Sequence, residues 1–437
     1  MTNTDLRGAV AGRVLLPGDE GFEQAAKPWN LSVRQPVAAV VEAADAGDVA
    51  AVARFASARG LTVAAQPSGH GATGDTEGVI LLRTRRLGGV EVRREERTAR
   101  VGAGVTWGEV LAEAGPLGLT GLAGSSPVVS VTGYTLGGGL SWFGRKHGFA
   151  ADSVRSFEVV RADGETATVT AGSDPDLFWA LRGGGGDFAL VTAMEFDLYP
   201  APALYGGRML WPGHRTREVF EAFLEITAEA PDELAVWFNR MQFPQAPPMV
   251  GVDVAFLGEE GDGRALLAAL DKIDDVMADK RGPVPVAELG GITAEPTDPS
   301  PGRSRAELLT RLDEAAIGTL LDSPLEPVVG LQVRHLGGAL AAARPDAGPS
   351  GPVTEPYLLY LLGFAPTPEA GAAAGDRQRR LAEELGGAVS GRKPYTMLGG
   401  GERAAAAFSE QDLARLREIK RARDPRGVLR ANFPVLA

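Results

Sequence analysis

"AAQPSGHGATGD", residues 64–75, closes a short apolar run that starts at Leu61 and sets His70, one of four histidines in the chain, among glycine, serine, threonine and proline. A histidine that merely fills a core is packed by bulky apolar groups. Here the neighbours are pared back almost to bare backbone, which admits something large against the main chain. Two more glycine-rich stretches follow, GYTLGGGLSWFGRK at 133–146 and RGGGGDF at 182–188. Any one of them reads as a tight turn, yet each can also offer backbone N–H groups to a phosphate. Spacing excludes two familiar phosphate binders. Gly139 and Gly144 mimic a P-loop, but Arg145-Lys146 stands where a lysine followed by a hydroxyl residue is needed for Mg²⁺. Gly137 and Gly139 begin a dinucleotide fingerprint, but Trp142 occupies the third glycine position.

A chain of 437 residues exceeds what one ordinary hydrophobic core serves, so two domains are expected. No run approaches the ~20 apolar residues of a membrane span. The start, MTNTDLRGAV, lacks the basic and apolar regions of a secretory signal, so the cytoplasm is the expected compartment. A net charge of −12 argues against nucleic acid or an anionic membrane as the main partner. With no cysteine in the chain, disulfides and thiolate chemistry are excluded. His70, His147, His214 and His335 show neither HxH nor HExxH spacing, so no metal site is expected.

Local signals divide the chain near Tyr199-Pro-Ala-Pro-Ala203. Before it, a helix is expected from Asp45 to Gly60, with strands at 61–66, 78–82, 89–94 and 98–102. Thr106-Trp-Gly-Glu109 is a capping box that starts another helix. Ala162-Asp-Gly164 joins two strands as a hairpin, and Asp174-Pro-Asp176 opens a short helix. Beyond the boundary come a strand at 205–211, a helix at 214–230, strands at 234–243 and 249–257, and a helix at 261–279. Linkers at 282–302 and 344–356, strands at 328–335 and 356–363, and a helix at 366–385 follow. An amphipathic helix and a tail close the chain after Phe408.

Four stretches taken together carry a family resemblance: Pro67-Ser-Gly-His70-Gly-Ala72; Val101-Gly-Ala-Gly-Val-Thr-Trp107; Gly133-Tyr-Thr-Leu-Gly-Gly-Gly139 with Arg145-Lys-His-Gly148; and Asp176-Leu-Phe-Trp-Ala-Leu-Arg-Gly-Gly-Gly-Gly186. The C-terminal run from Arg415 through Lys420, Asp424-Pro425 and Arg430 to Asn432 agrees. In these the chain resembles the berberine-bridge-enzyme-like, or vanillyl-alcohol-oxidase-type, flavoproteins. The resemblance implies an α+β, two-domain fold. Residues 1–200, with 391–437 returning, would bind FAD, and 201–390 would form an antiparallel sheet backed by helices over the ring. It implies a covalent histidyl-flavin through His70. It also implies cofactor contacts from Pro67, Ser68, Gly69, Gly71, Ala72, Ser126, Val129, Thr132, Gly133, Tyr134, Gly137, Gly138, Gly139, Val191 and Asn432. Many members carry a second, cysteinyl link, but here that stretch reads Gly124-Ser-Ser126-Pro127, so a single attachment is expected. Val129 matches the small residue that admits O₂ in family oxidases.

The implied activity is a two-electron oxidation of an alcohol, an amine or a natural product, oxidative ring closure included. Hydride passes to the flavin, and O₂ is reduced to H₂O₂. A dehydrogenase using another acceptor, or a flavin-fold binding protein without turnover, stays open as an alternative. The expected partners are a small-molecule substrate and O₂, with the protein a monomer or homodimer. Tyr395 leads the candidates for the catalytic base, although Met397 stands where the family has an asparagine, and His335 and Tyr360 follow. Asp187 stands where an asparagine is commoner. Arg334 and Tyr357 are the expected substrate contacts. Alternation along 331–335 sends Arg334 and His335 to opposite faces of their strand.

Overall fold

The computed structural model describes residues 3–437. Its first sheet grows from a short crossover: strands Ala39–Glu42 and Thr62–Ala65 both run parallel to Val79–Arg83, with Arg13–Leu15 antiparallel on the edge. The connecting helix, Ala46–Arg59, is fixed at both ends. Asp45 accepts a hydrogen bond from the Asp48 N–H, and Gly60 stops the helix at a positive φ of 64°. Val49, Val52 and Ala56 bury its inner face against Val41, Val63 and Ile80. The loop 66–75 therefore leaves the end of a strand that is anchored on both sides.

A second sheet, of five antiparallel strands, follows in the order Val90–Arg93, Thr98–Gly102, Leu190–Asp197, Val154–Val160, Thr166–Val169. The expected Asp-Gly turn closes the last hairpin, with Gly164 at φ 84° and the Arg161 N–H donating to the Glu165 carbonyl. The capping box is formed at Thr106 and Glu109, starting helix Trp107–Ala114.

The third sheet has eight strands and carries the middle of the chain. Its main order is Ala278–Asp279, Tyr205–Pro212, Met249–Phe256, Leu234–Met241, Val328–His335, Tyr357–Phe364, Gly302–Leu309, and every pairing is antiparallel. Helices Thr216–Ala228, Glu314–Asp322 and Pro368–Leu385 cover one face, where Phe220, Phe223, Val236, Phe238, Leu320, Leu331 and Leu381 pack together. The other face turns toward the first half of the chain. Ala235, Trp237 and Ala255 join the core that contains Trp107, Trp142 and Phe196, while Ala306, Leu308 and Leu358 pack with Leu140 and Phe149. The fold is α+β, as the motifs imply. Helix Glu410–Arg423 returns to lie on helix Pro175–Leu181, and the tail locks onto the first sheet through Val63–Val428 and Arg430–Val63 backbone hydrogen bonds.

Two regions differ from the sequence reading. The helix expected at 261–279 is only Glu260–Leu266, followed by a 3₁₀ turn and the edge strand Ala278–Asp279. Asp275 breaks it: its φ is 62°, outside any helix, and its carboxylate is gripped by Arg215. Strand Gly302–Leu309 was hidden by charge, because its first half, Gly-Arg-Ser-Arg, has no buried member.

Candidate active site

His70 sits on a turn that only glycine can make. Gly69 has φ 86°, and a Cβ there would lie 2.9 Å from the backbone of Pro28. The imidazole stacks on Trp29, ring centres 4.4 Å apart, and its Nδ1 pairs with the Ser68 hydroxyl at 2.8 Å. Nε2 is buried with no hydrogen-bond partner. Burial lowers the pKa of the ring to about 4, so at neutral pH it is an uncharged imidazole. With Nδ1 held by Ser68, Nε2 is the nitrogen free to react.

The neighbouring loops show the same unanswered polarity. Ser126 Oγ, Thr132 Oγ1 and Tyr134 Oη are buried without partners. Each such group costs about 1–3 kcal/mol, so four on the motif loops mark a cradle built for a polar molecule. The loop Pro127–Val131 is laid along 105–108 by backbone hydrogen bonds from Trp107, Gly108 and Val131. Gly71 faces Asn432, whose Nδ2 would be 3.3 Å from a Cβ, and Gly133 has open space above it. Pro67 is partly exposed and Ala72 buried in the same turn. Val129 is partly exposed; Val191 is packed in the core, which leaves only its backbone to face a ligand. These residues fit FAD, whose diphosphate and ring edges supply acceptors and donors for such atoms.

Other glycines in the clusters serve packing. A Cβ at Gly139 would lie 2.5 Å from the Tyr134 ring, and one at Gly185 would lie 2.3 Å from the Tyr395 hydroxyl. Gly138 and Gly183 both abut Ser350, which lies in the stretch read as a linker at 344–356. Gly137 lies against Tyr395. That tyrosine is buried between Phe408 and Phe433 and donates its hydroxyl proton to the Phe433 carbonyl at 3.1 Å. Burial, with the Asp187 carboxylate nearby, holds its pKa far above the usual value. Asp187 is a clasp: it accepts from the Ala431 and Val435 N–H groups at 2.9 and 2.8 Å. Lys420 Nζ ties the Asp187 carbonyl, Asp424 and the Leu429 carbonyl together.

The inner face of the eight-stranded sheet supplies the opposing wall. Arg208, Asp253, Trp237 and Arg334 are successive register partners across four strands, so their side chains share that face. Asn239, Gln332 and Tyr360 form the next row. A hydrogen-bonded chain crosses these rows: Arg208 holds Asp253 with two bonds, Asn239 donates to Asp253 at 3.1 Å, and Gln332 donates to Asn239 at 2.7 Å. Arg334 Nε donates to Gln332 Oε1. The Arg334 guanidinium lies 3.9 Å over the Trp237 ring and 5.3 Å from that of Tyr360, and Trp237 stacks in turn on Trp142 at 3.5 Å. Arg334 is 7% exposed. Burial raises the pKa of Tyr360, opposed by a hydrogen bond to Ser304 and by the Arg334 charge. Burial also raises that of Tyr134, again opposed by the Arg334 charge. Met397 and Tyr360 both pack against the cluster of Leu140, Phe149, Leu308 and Leu358.

The structure thus brings Arg334 and Tyr360 to the cradle and leaves His335 and Tyr357 out. Those two lie together on the opposite, helix-covered face, where Tyr357 packs on Phe223 and His335 Nε2 meets Arg145 Nη1 at 3.1 Å. Strand alternation is the reason, and Arg334 took the inner side. Tyr395 is separated from the wall by its own hydrogen bond. Trp237, Asn239 and Asp253 escaped the sequence reading; the one available signal was a lone aspartate inside the otherwise apolar MVGVDVAF.

Comparison with known proteins agrees with this geometry. Residues 37–170 match a family model described as an FAD binding domain. The (R)-6-hydroxynicotine oxidase of Paenarthrobacter nicotinovorans is 27% identical over 98% of this chain and 97% of its own length. An FAD-dependent monooxygenase of Fusarium proliferatum is 37% identical over 45% of this chain and 39% of its own. Among solved structures, 6-hydroxy-D-nicotine oxidase from Arthrobacter nicotinovorans superposes with a TM-score of 0.86 at 23% identity, covering 98% of each chain. The berberine-bridge-enzyme-like protein 1 of Physcomitrella patens superposes with 0.89 at 17% identity, covering 100% of this chain and 99% of that one.

Proposed function

Because this chain belongs to the berberine-bridge-enzyme-like, vanillyl-alcohol-oxidase-type FAD-linked oxidoreductases, we propose that it is an oxidase whose flavin is bound covalently, once, through His70. FAD supplies the chemistry: it accepts a hydride and returns the two electrons to O₂ as H₂O₂. The observation that carries the reading is the group of unpartnered buried atoms His70 Nε2, Ser126 Oγ, Thr132 Oγ1 and Tyr134 Oη.

In this reading residues 1–200 with 391–437 hold the cofactor, and 201–390 close over it. Ser68 holds the His70 ring at Nδ1; with the Nδ1–H donated to the Ser68 oxygen, Nε2 carries the lone pair that the attachment needs. Ser126 and Thr132 offer hydroxyls to the cofactor, and Ser126 cannot form the thioether that a cysteine would. Tyr360, beside Arg334 on the inner wall, is the group that takes the substrate proton; Arg334 favours its deprotonated form electrostatically. Val129 leaves room for O₂. The substrate is an alcohol, an amine or a natural product, in keeping with a relative named as a 6-hydroxynicotine oxidase, and ring closure would use the same hydride step. The reading also takes the protein to work in the cytoplasm as a monomer or homodimer; cell fractionation and light scattering test that.

The decisive experiment is the mass of the denatured, washed protein. A chain heavier by one FAD, with the adduct on His70, is the expected result, and a bare-chain mass refutes the covalent bond. His70→Ala should leave extractable FAD. Anaerobic mixing with alcohols and amines, followed by air, checks turnover: bleaching that air reverses, with peroxide released, is expected of an oxidase. A flavin that bleaches yet ignores air points to a dehydrogenase.

A further inference from the structure

The wall that covers the cradle holds one positive charge that no protein carboxylate meets. Arg208 and Asp253 cancel as a two-bond pair, and Asn239 satisfies the aspartate further. Arg334 is left over. It forms no ion pair among the described residues, and the carboxylate of Glu295, which it feels electrostatically, lies on an exposed loop residue. A guanidinium does not escape burial by losing its proton, so a nearly buried, unpaired one needs an anion in the working state.

Its setting defines the shape of that anion. The guanidinium lies 3.9 Å from the Trp237 ring centre and 5.3 Å from that of Tyr360, and Gln332 occupies Nε, so the donors left are those of Nη1 and Nη2. Neither nitrogen hydrogen-bonds to the protein among the described residues. Two parallel N–H donors on a fixed plane match the two oxygens of a carboxylate. Tyr134 Oη, buried and unpartnered on the facing loop, adds a further donor.

Resting on the flavin-oxidase reading, we propose that Arg334 receives a carboxylate of the substrate, so that the enzyme oxidises organic acids and holds the reacting carbon by that anchor. A substrate that presents an ammonium group to this wall is repelled.

Benzoate and its neutral isostere benzamide, titrated separately into the yellow holoenzyme and followed by the flavin absorption spectrum, test the idea. The expected result is saturable benzoate binding, with benzamide weaker by about ten- to hundredfold, the worth of a hydrogen-bonded charge. Arg334→Gln should abolish the preference while flavin content stays as in the wild type. Equal affinities in the wild type, no benzoate binding, or a preference surviving in Arg334→Gln overturns the proposal. An arginine committed to the flavin itself gives the equal-affinity result. All three outcomes leave the oxidase reading standing as long as the protein is yellow. A colourless protein that takes up no FAD removes that reading, and this one with it.

Discussion

The Tyr395 hydroxyl is already committed to the Phe433 carbonyl, so its loss should alter packing and leave chemistry alone. Tyr395→Phe is expected to keep kcat and lose about 1 kcal/mol of stability, the usual worth of one internal hydrogen bond. Thermal unfolding and turnover measured on the same sample check this. Tyr360→Phe should do the reverse, lowering kcat by about 10²-fold at unchanged flavin content. Because burial raises the Tyr360 pKa above its ordinary value, the active, deprotonated form grows as the solution becomes more alkaline. Wild-type kcat should therefore climb through the alkaline range, and the Phe variant should be flat. At Val129, Ile adds bulk on a partly exposed loop position. Stopped-flow should show slower reoxidation by O₂ with anaerobic reduction unaltered.

At the scale of single elements, strand Val328–His335 separates two chemistries by alternation alone. Arg334 points to the cradle, and His335 is wedged between Arg145 and Tyr357. Burial and the Arg145 charge lower the His335 pKa to about 3, against an ordinary 6.5. Between those values the unfolded chain binds a proton that the folded one refuses. Stability is therefore full above about pH 6.5 and is lost as the pH falls toward 3. His335→Gln should lose less Tm than the wild type between about pH 7 and about pH 5, a comparison calorimetry can make. Elements specified by adjacent residues were legible in advance: the helix from Asp45 to Gly60, the Thr106-Glu109 box, the Asp-Gly hairpin and the two-sided strand. The motif loops were legible too, since small residues around His70 need no tertiary knowledge. The inner wall was not. Its rows join residues from strands up to ~130 positions apart, and only sheet register decides that Arg208, Asp253, Trp237 and Arg334 stand in line. The hydroxyl bond of Tyr395 was not legible either, because its acceptor, the Phe433 carbonyl, lies 38 residues on.

Across the whole molecule, the tail is held at one buried point. Asp187 accepts from Ala431 and Val435 beside Lys420. Asp187→Ala leaves the Ala431 and Val435 N–H groups without their acceptor, while Lys420 keeps Asp424 and two backbone carbonyls, and each orphaned buried group costs about 1–3 kcal/mol. Circular dichroism and flavin fluorescence should show unfolding and loss of cofactor alignment in one transition at a lower temperature. Other contacts join the halves as firmly. Trp142, from the loop after Gly139, lies flat on Trp237 of the sheet at 3.5 Å and 8° between planes, and Arg145 reaches the carbonyls of Ala230 and Leu336. A jaw riveted in this way has no hinge stroke left to it. The bore between the walls is set when the chain folds, so free and liganded forms should superpose within side-chain motions. Retargeting the enzyme then becomes a matter of re-tiling one wall, residue by residue, with the frame left untouched.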